Sequence, residues 1–136
     1  VALLESFRSI SRHLYEDDTW LDGAKVSGRA PNYRITLDGD QIAVWDSSKG
    51  RFAFSKSVLP VLLENKMLPT VDLVEGHTWT GDLFTSNIAG FTGSPCIGDE
   101  ILVLQAGALR GSARAVASSW EWPAAPGALA RARHRL

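Results

Sequence analysis

Between Gly90 and Gly98 the chain meets four conformational breaks in nine residues: Gly90, Gly93, Pro95 and Gly98. A helix does not survive that density, because glycine loses the most backbone entropy on ordering and proline lacks the amide donor. Directly afterwards come four consecutive aliphatic residues, Ile101-Leu-Val-Leu104. A short apolar run bounded by turns is the pattern of a strand buried on both faces. The second half is therefore confined to short strands joined by turns. Thr70–Val74 reads as one, and Gly76–Asp82 as a turn or a single helical turn. Leu83–Ile88 reads as a strand carrying Phe84 and Ile88, Gln105–Leu109 as a turn and Gly111–Ala117 as the next strand. Ala128–Leu136 alternates as a last strand. Short strands at such intervals predict a small closed barrel.

The first half reads as mixed α and β. Leu3, Leu4, Phe7, Ile10 and Leu14 recur at helical spacing, which predicts an amphipathic helix over residues 2–15. The acids Asp17-Asp18 oppose the dipole at that helix's C-terminus, so a loop follows. Tyr33–Leu37 alternates, Asp38-Gly39 is a strong hairpin signal, and Gln41–Trp45 is the return strand. Ser47–Gly50 is a second turn and Arg51–Phe54 another strand. Ser55 or Ser57 is placed to cap a helix through Lys66, with Val58, Leu59, Leu62 and Leu63 as its buried stripe and Pro60 in its first turn. The expected class is α+β.

Of 136 residues, 45% are hydrophobic and 21% charged, which excludes a disordered chain. No run of about 18 uncharged apolar residues offers a membrane span, so no membrane partner is expected. Fourteen basic against fifteen acidic side chains give a net charge of −1, so total charge does not announce a polyanionic partner. The balance is local: Ile101–Leu136 carries five arginines against one acid, Glu121, a difference of +4. A single cysteine excludes an internal disulfide and a cysteine-based zinc site, and with no signal-peptide pattern at Val1–Ser11 a cytoplasmic location is expected. The opening Val in place of Met is read as trimming of a short leader.

Catalytic constellations are sparse. His13, His77 and His134 are dispersed and no two of them stand at metal-ligand spacing, so no metal or cofactor is expected. Asp72 and Glu75 flank a turn as solvated acids, and Gly90–Pro95 lacks the Lys and helix of a phosphate loop. Cys96, between Pro95 and Ile97, reads as a small buried hydrophobe. No catalytic residue is assigned.

The segments Gly98-Asp-Glu-Ile-Leu-Val-Leu104, Leu109-Arg-Gly-Ser-Ala-Arg-Ala115 and Ser118-Ser-Trp-Glu-Trp122 together resemble the PUA domain. Gly81-Asp-Leu-Phe84 falls where that family has a glycine ending its first helix before its second strand, and Ala128–Arg135 resembles its closing strand. More loosely, Asp38–Ala43, Asp46–Phe54 and the following helix resemble the pre-PUA domain of archaeal archaeosine-type tRNA-guanine transglycosylases. Their catalytic barrel and its zinc cysteines have no counterpart here. The resemblance implies a pre-PUA-like α+β domain at 1–68 and a PUA pseudo-β-barrel at 69–136, with residues 1–30 unassigned.

It also implies a function: an RNA-binding accessory module, tRNA or rRNA its ligand, serving a tRNA-modifying enzyme without catalysis of its own. Gly81 is the candidate for close approach of the RNA backbone, and Trp79 either stacks on a base or covers the barrel. Arg131, Arg133 and Arg135 would share one face of a terminal strand, with Arg114 in the neighbouring one. Ser86 belongs to Thr85-Ser86-Asn87, where the family carries basic residues. Glu75–Asp82 has two acids and no Lys or Arg. Those departures favour the alternative, a protein-interaction subunit that keeps the fold and has lost most RNA affinity.

Overall fold

The computed structural model describes residues 2–136; Val1, with which the first domain is expected to begin, lies outside the described residues. The secondary structure is α+β, with two mostly antiparallel sheets. The chain divides after Met67 into two compact units.

In the first unit, helix α1 (Ala2–Tyr15) buries Phe7 and Ser11. The buried Ser11 hydroxyl is satisfied twice: Oγ donates to the Asp17 carbonyl at 2.6 Å and accepts the Trp20 indole N–H at 2.7 Å. Four antiparallel strands follow in sequence order: β1 (Lys25–Arg29), β2 (Asn32–Leu37), β3 (Asp40–Asp46) and β4 (Arg51–Phe54). Asp38 and Gly39 join β2 to β3 with φ of 52° and 86°, the left-handed pair that matches strand twist. Alternation turns Phe52 and Phe54 into the core, where the Trp20 ring meets them edge-on at 5.2 and 5.1 Å.

Helix α2 (Leu59–Glu64) is shorter than expected. A 3-10 turn, Lys56–Val58, precedes it, and Ser55 makes no side-chain capping bond. Pro60 occupies its first turn.

The second unit is a five-stranded sheet of β5 (Thr70–Leu73), β6 (Ile88–Thr92), β7 (Glu100–Gln105), β8 (Ala108–Ala115) and β9 (Ala130–Arg135). Their order is β6-β5-β7-β8-β9, with β5 and β7 parallel and the other pairs antiparallel. On β7, Ile101 and Val103 enter the core with Val71, Leu83, Ala113, Trp122 and Leu129. Leu102, on the opposite face, is also fully buried. The Gly98-Asp99 pair is fastened to the end of β8: Gly98 N–H donates to the Ala115 carbonyl at 2.8 Å, and Ala115 N–H to that of Asp99 at 2.9 Å.

Two expectations are corrected, at Leu83–Ile88 and at Cys96. Leu83–Ile88 is not a strand: Leu83 forms an isolated bridge, Thr85–Asn87 is a 3-10 turn, and β6 starts at Ile88. The Asn87 carboxamide accepts the Phe84 N–H at 3.0 Å, and the Thr85 hydroxyl donates to the Trp122 carbonyl at 2.7 Å. Such side-chain bonds offer the backbone an alternative to a ladder. Of the two alternatives for Gly76–Asp82 the turn is the one present, at Glu75-Gly76, and the chain then runs irregularly without a helical turn. Gln105 fastens this segment, donating to the carbonyls of Val74 at 3.0 Å and His77 at 2.7 Å. Cys96 is exposed rather than buried, its loop held by an Asp99 carboxylate that accepts the Cys96 N–H at 2.9 Å.

Candidate nucleic-acid interface

Leu83 joins the Gly81 turn to the last strand. Its N–H donates to the Ala130 carbonyl at 2.9 Å, and its carbonyl accepts the Leu129 N–H at 2.7 Å. The segment after Gly81 thereby runs antiparallel to the start of β9, one residue before Arg131. Trp79 lies partly buried against the core, and its indole N–H donates to the Gly81 carbonyl at 2.5 Å. The indole thus braces the turn from within. A Cβ added to Gly81 would meet nothing within 4 Å, and Gly81 has no left-handed φ. The fold itself does not need glycine there.

The three terminal arginines do not share a face. Ser112 pairs with His134 and Ala113 with Ala132, so Arg133 is the extra residue of a β-bulge. Past the bulge the alternation is reset, and Arg135, opposite Gly111, falls on the face opposite that of His134. Arg131 is exposed across from Arg114.

Arg114 and Arg133 converge on Glu100, which is only 5% exposed. Arg133 Nη1 lies 3.3 Å from Glu100 Oε2, and Arg114 Nη2 lies 3.9 Å from Oε1. Arg114 Nη1 also donates to the Gly98 carbonyl at 2.7 Å, and Arg133 Nη1 lies 2.7 Å from His134 Nε2. These two cations compensate a buried carboxylate, whereas Arg131 and Arg135 face solvent. Ser86 is exposed at the centre of its 3-10 turn, outside any strand. Sequence reasoning missed Arg110, an exposed bulge residue whose carbonyl accepts the Leu136 N–H at 2.9 Å beside Arg135. Its only signal was membership of the arginine-rich segment.

Next to Leu83 a groove of about 170 Å³ opens between Ile88, Phe91, Trp122 and Leu129. Its walls are apolar, and Phe91 meets Trp122 edge-on at 4.8 Å. Among the described residues no group of three or more His, Cys, Asp or Glu side chains is placed to hold a metal ion. No helix among them is long and apolar enough to cross a membrane.

No family model matches this sequence, and no curated protein does. Solved structures do match. A conserved PUA domain protein from Thermoplasma acidophilum superposes over 94% of this chain and 89% of its own, with TM-score 0.59 and 18% identity. A PUA domain from Aeropyrum pernix, solved with tartrate, covers 97% of this chain and 82% of its own, with TM-score 0.54 and 16% identity. The fold is that of PUA domain proteins. A third structure, of a protein of unknown function, has TM-score 0.68 and 18% identity over 84% of this chain, which spans 41% of that longer protein. In the PUA fold adopted here, the Gly81 turn and the closing strand β9 lie side by side through Leu83.

Proposed function

We propose that this chain is an RNA-binding module, with tRNA its favoured ligand and rRNA the other, that presents substrate to an RNA-modifying enzyme in the cytoplasm. It performs no catalysis of its own. In this reading residues 1–68 are a pre-PUA domain and 69–136 a PUA pseudo-barrel, the arrangement implied by the likeness to archaeosine-type tRNA-guanine transglycosylases. The observation that carries the reading is the Leu83–Ala130 bridge, which sets a glycine the fold does not need beside an exposed arginine. An absent side chain lets a phosphate or ribose approach the backbone closely, and Arg131 supplies the charge. Filter binding of tRNA across a salt series tests it. Affinity at low salt that falls with added salt is expected. No affinity at the lowest salt, or a slope unaffected by joint Arg131→Ala, Arg133→Ala and Arg135→Ala, would sink it.

One observation favours a second reading, a protein-interaction subunit. No Lys or Arg occurs between Lys66 and Arg110, and Glu100 holds two of the remaining arginines. An enzyme subunit that co-purifies after nuclease treatment, with tRNA affinity absent, would establish it.

A further inference from the structure

Two tryptophans two residues apart lie on opposite sides of the 3-10 turn Ser119–Ala124. Trp122 is 2% exposed, and its indole N–H donates to the Ala117 carbonyl at 2.9 Å. Trp120 is 81% exposed. The turn that carries it is fastened from three sides. Ser119 N–H donates to the Pro95 carbonyl at 2.9 Å, the Thr85 hydroxyl to the Trp122 carbonyl at 2.7 Å, and Ser118 N–H to the Glu121 carboxylate at 3.3 Å. A large planar ring is therefore held in water on a rigid base, and the core makes no use of it. Beside it lies an open cleft of about 420 Å³ walled by Ala117, Pro123, Ala125, Pro126 and Gly127. These walls are small and apolar, and Glu121, the one charged residue of the lining, is engaged by the Ser118 amide.

We propose that Trp120 is the stacking platform for an unpaired nucleobase. The inference rests on the RNA-binding reading and extends that surface beyond the Gly81 turn. Continuity of the surface points to a base. Ala128 lines the cleft; Leu129, the next residue, bonds Leu83; and Arg131 follows three residues after Ala128, about 10 Å along an extended chain. One short single strand thus spans the indole, the strand entry and the arginine. Stacking also answers the scarcity of cations. It needs no charge, every base offers a π face, and the contact supplies affinity that salt does not screen.

The test uses the full chain and a labelled single-stranded oligoribonucleotide, followed by fluorescence anisotropy at several salt concentrations. Trp120→Ala is expected to weaken binding by about five- to a hundred-fold, by the same factor at each salt concentration. Arg131→Ala instead flattens the salt dependence. Trp120→Phe recovers most of the affinity, and an abasic oligonucleotide binds wild type as weakly as the intact one binds Trp120→Ala. Unchanged melting temperatures confirm that the exposed ring was not needed for folding. If wild type binds the oligonucleotide and Trp120→Ala binds it equally well, the stacking role is overturned while the RNA-binding reading stands. If wild type binds neither oligonucleotide nor tRNA, both fall. Loss of self-association in Trp120→Ala with RNA affinity intact assigns the ring to a protein contact and overturns the proposal.

Discussion

The carbonyl oxygen of His134 occupies the place where a side chain on Gly111 would begin: a Cβ built there lies 1.9 Å from it. Two irregularities meet at this point. Arg110 is extra in β8 against β7, and Arg133 is extra in β9 against β8. Gly111 between them adopts φ 147°, where a side chain is strained whatever the space. Gly111→Ala is therefore expected to cost more than about 2 kcal/mol, because backbone rather than a movable side chain must shift. Urea unfolding measures it. A midpoint equal to wild type would show that the two strands do not approach as closely as described.

The same bulge separates the roles of Arg131 and Arg133. Arg131→Ala leaves no buried group without its partner, so stability is expected to hold within about 0.5 kcal/mol. Its effect appears in RNA binding, as a salt slope smaller by about one unit. Arg133→Ala withdraws a cation from the buried Glu100 carboxylate, which is expected to cost about 1–3 kcal/mol. Parallel melts and salt titrations of the two variants read both quantities. Equal destabilisation would mean that Glu100 does not distinguish them.

Local signals carried much of the fold. Helix 2–15, the Asp38-Gly39 hairpin and the aliphatic strand at 101–104 were legible because period and turn chemistry agree there. Strand β1 was not, since Lys25-Val-Ser-Gly-Arg29 is an edge strand with one partly buried residue and offers no alternation. The 3-10 turn at Thr85–Asn87 was hidden for a different reason. Its stabilising bond reaches from Thr85 to the carbonyl of Trp122, 37 residues away. At the candidate site the resemblance singles out Gly81, but its place beside the closing strand emerges only from the Leu83–Ala130 bridge, and the arginine geometry is not legible either. Arg131, Arg133 and Arg135 alternate perfectly in sequence, and only pairing with β8 reveals the bulge that splits them.

Gly81 gives the cleanest separation of stability from binding. Its Cβ position is open and its φ lies outside the left-handed region, so Gly81→Ala is expected to leave the melting temperature unchanged. The added methyl group would still stand between the backbone and an approaching phosphate. A fall in tRNA affinity of about tenfold, near 1.4 kcal/mol, is expected. Filter binding decides it, and affinity equal to wild type would remove the Gly81 turn from the interface.

The pH response of the first unit follows from the cluster around Asp18. Burial pushes this carboxyl up, but the hydrogen bond from Arg12, the charges of Arg8 and Arg12 and the Arg8 hydrogen bond outweigh it and hold Asp18 below its ordinary 3.8. The Arg8 guanidinium is raised above its ordinary range, chiefly by its hydrogen bond to Asp22, and stays charged throughout the acid range. A carboxyl lowered in the folded state stabilises that state fully above its unfolded value, and the contribution disappears as pH falls through the folded one. Wild type should therefore lose stability below about pH 4. Asp46 is lowered too, mainly by the Ser48 hydroxyl, so wild type alone does not isolate Asp18. Asp18→Asn does: it should be less stable than wild type at pH 7, with the gap closing as pH falls toward 2. Urea midpoints for both proteins across that range provide the measurement, and a gap that stays constant would show that the arginines do not act on Asp18 through its charge.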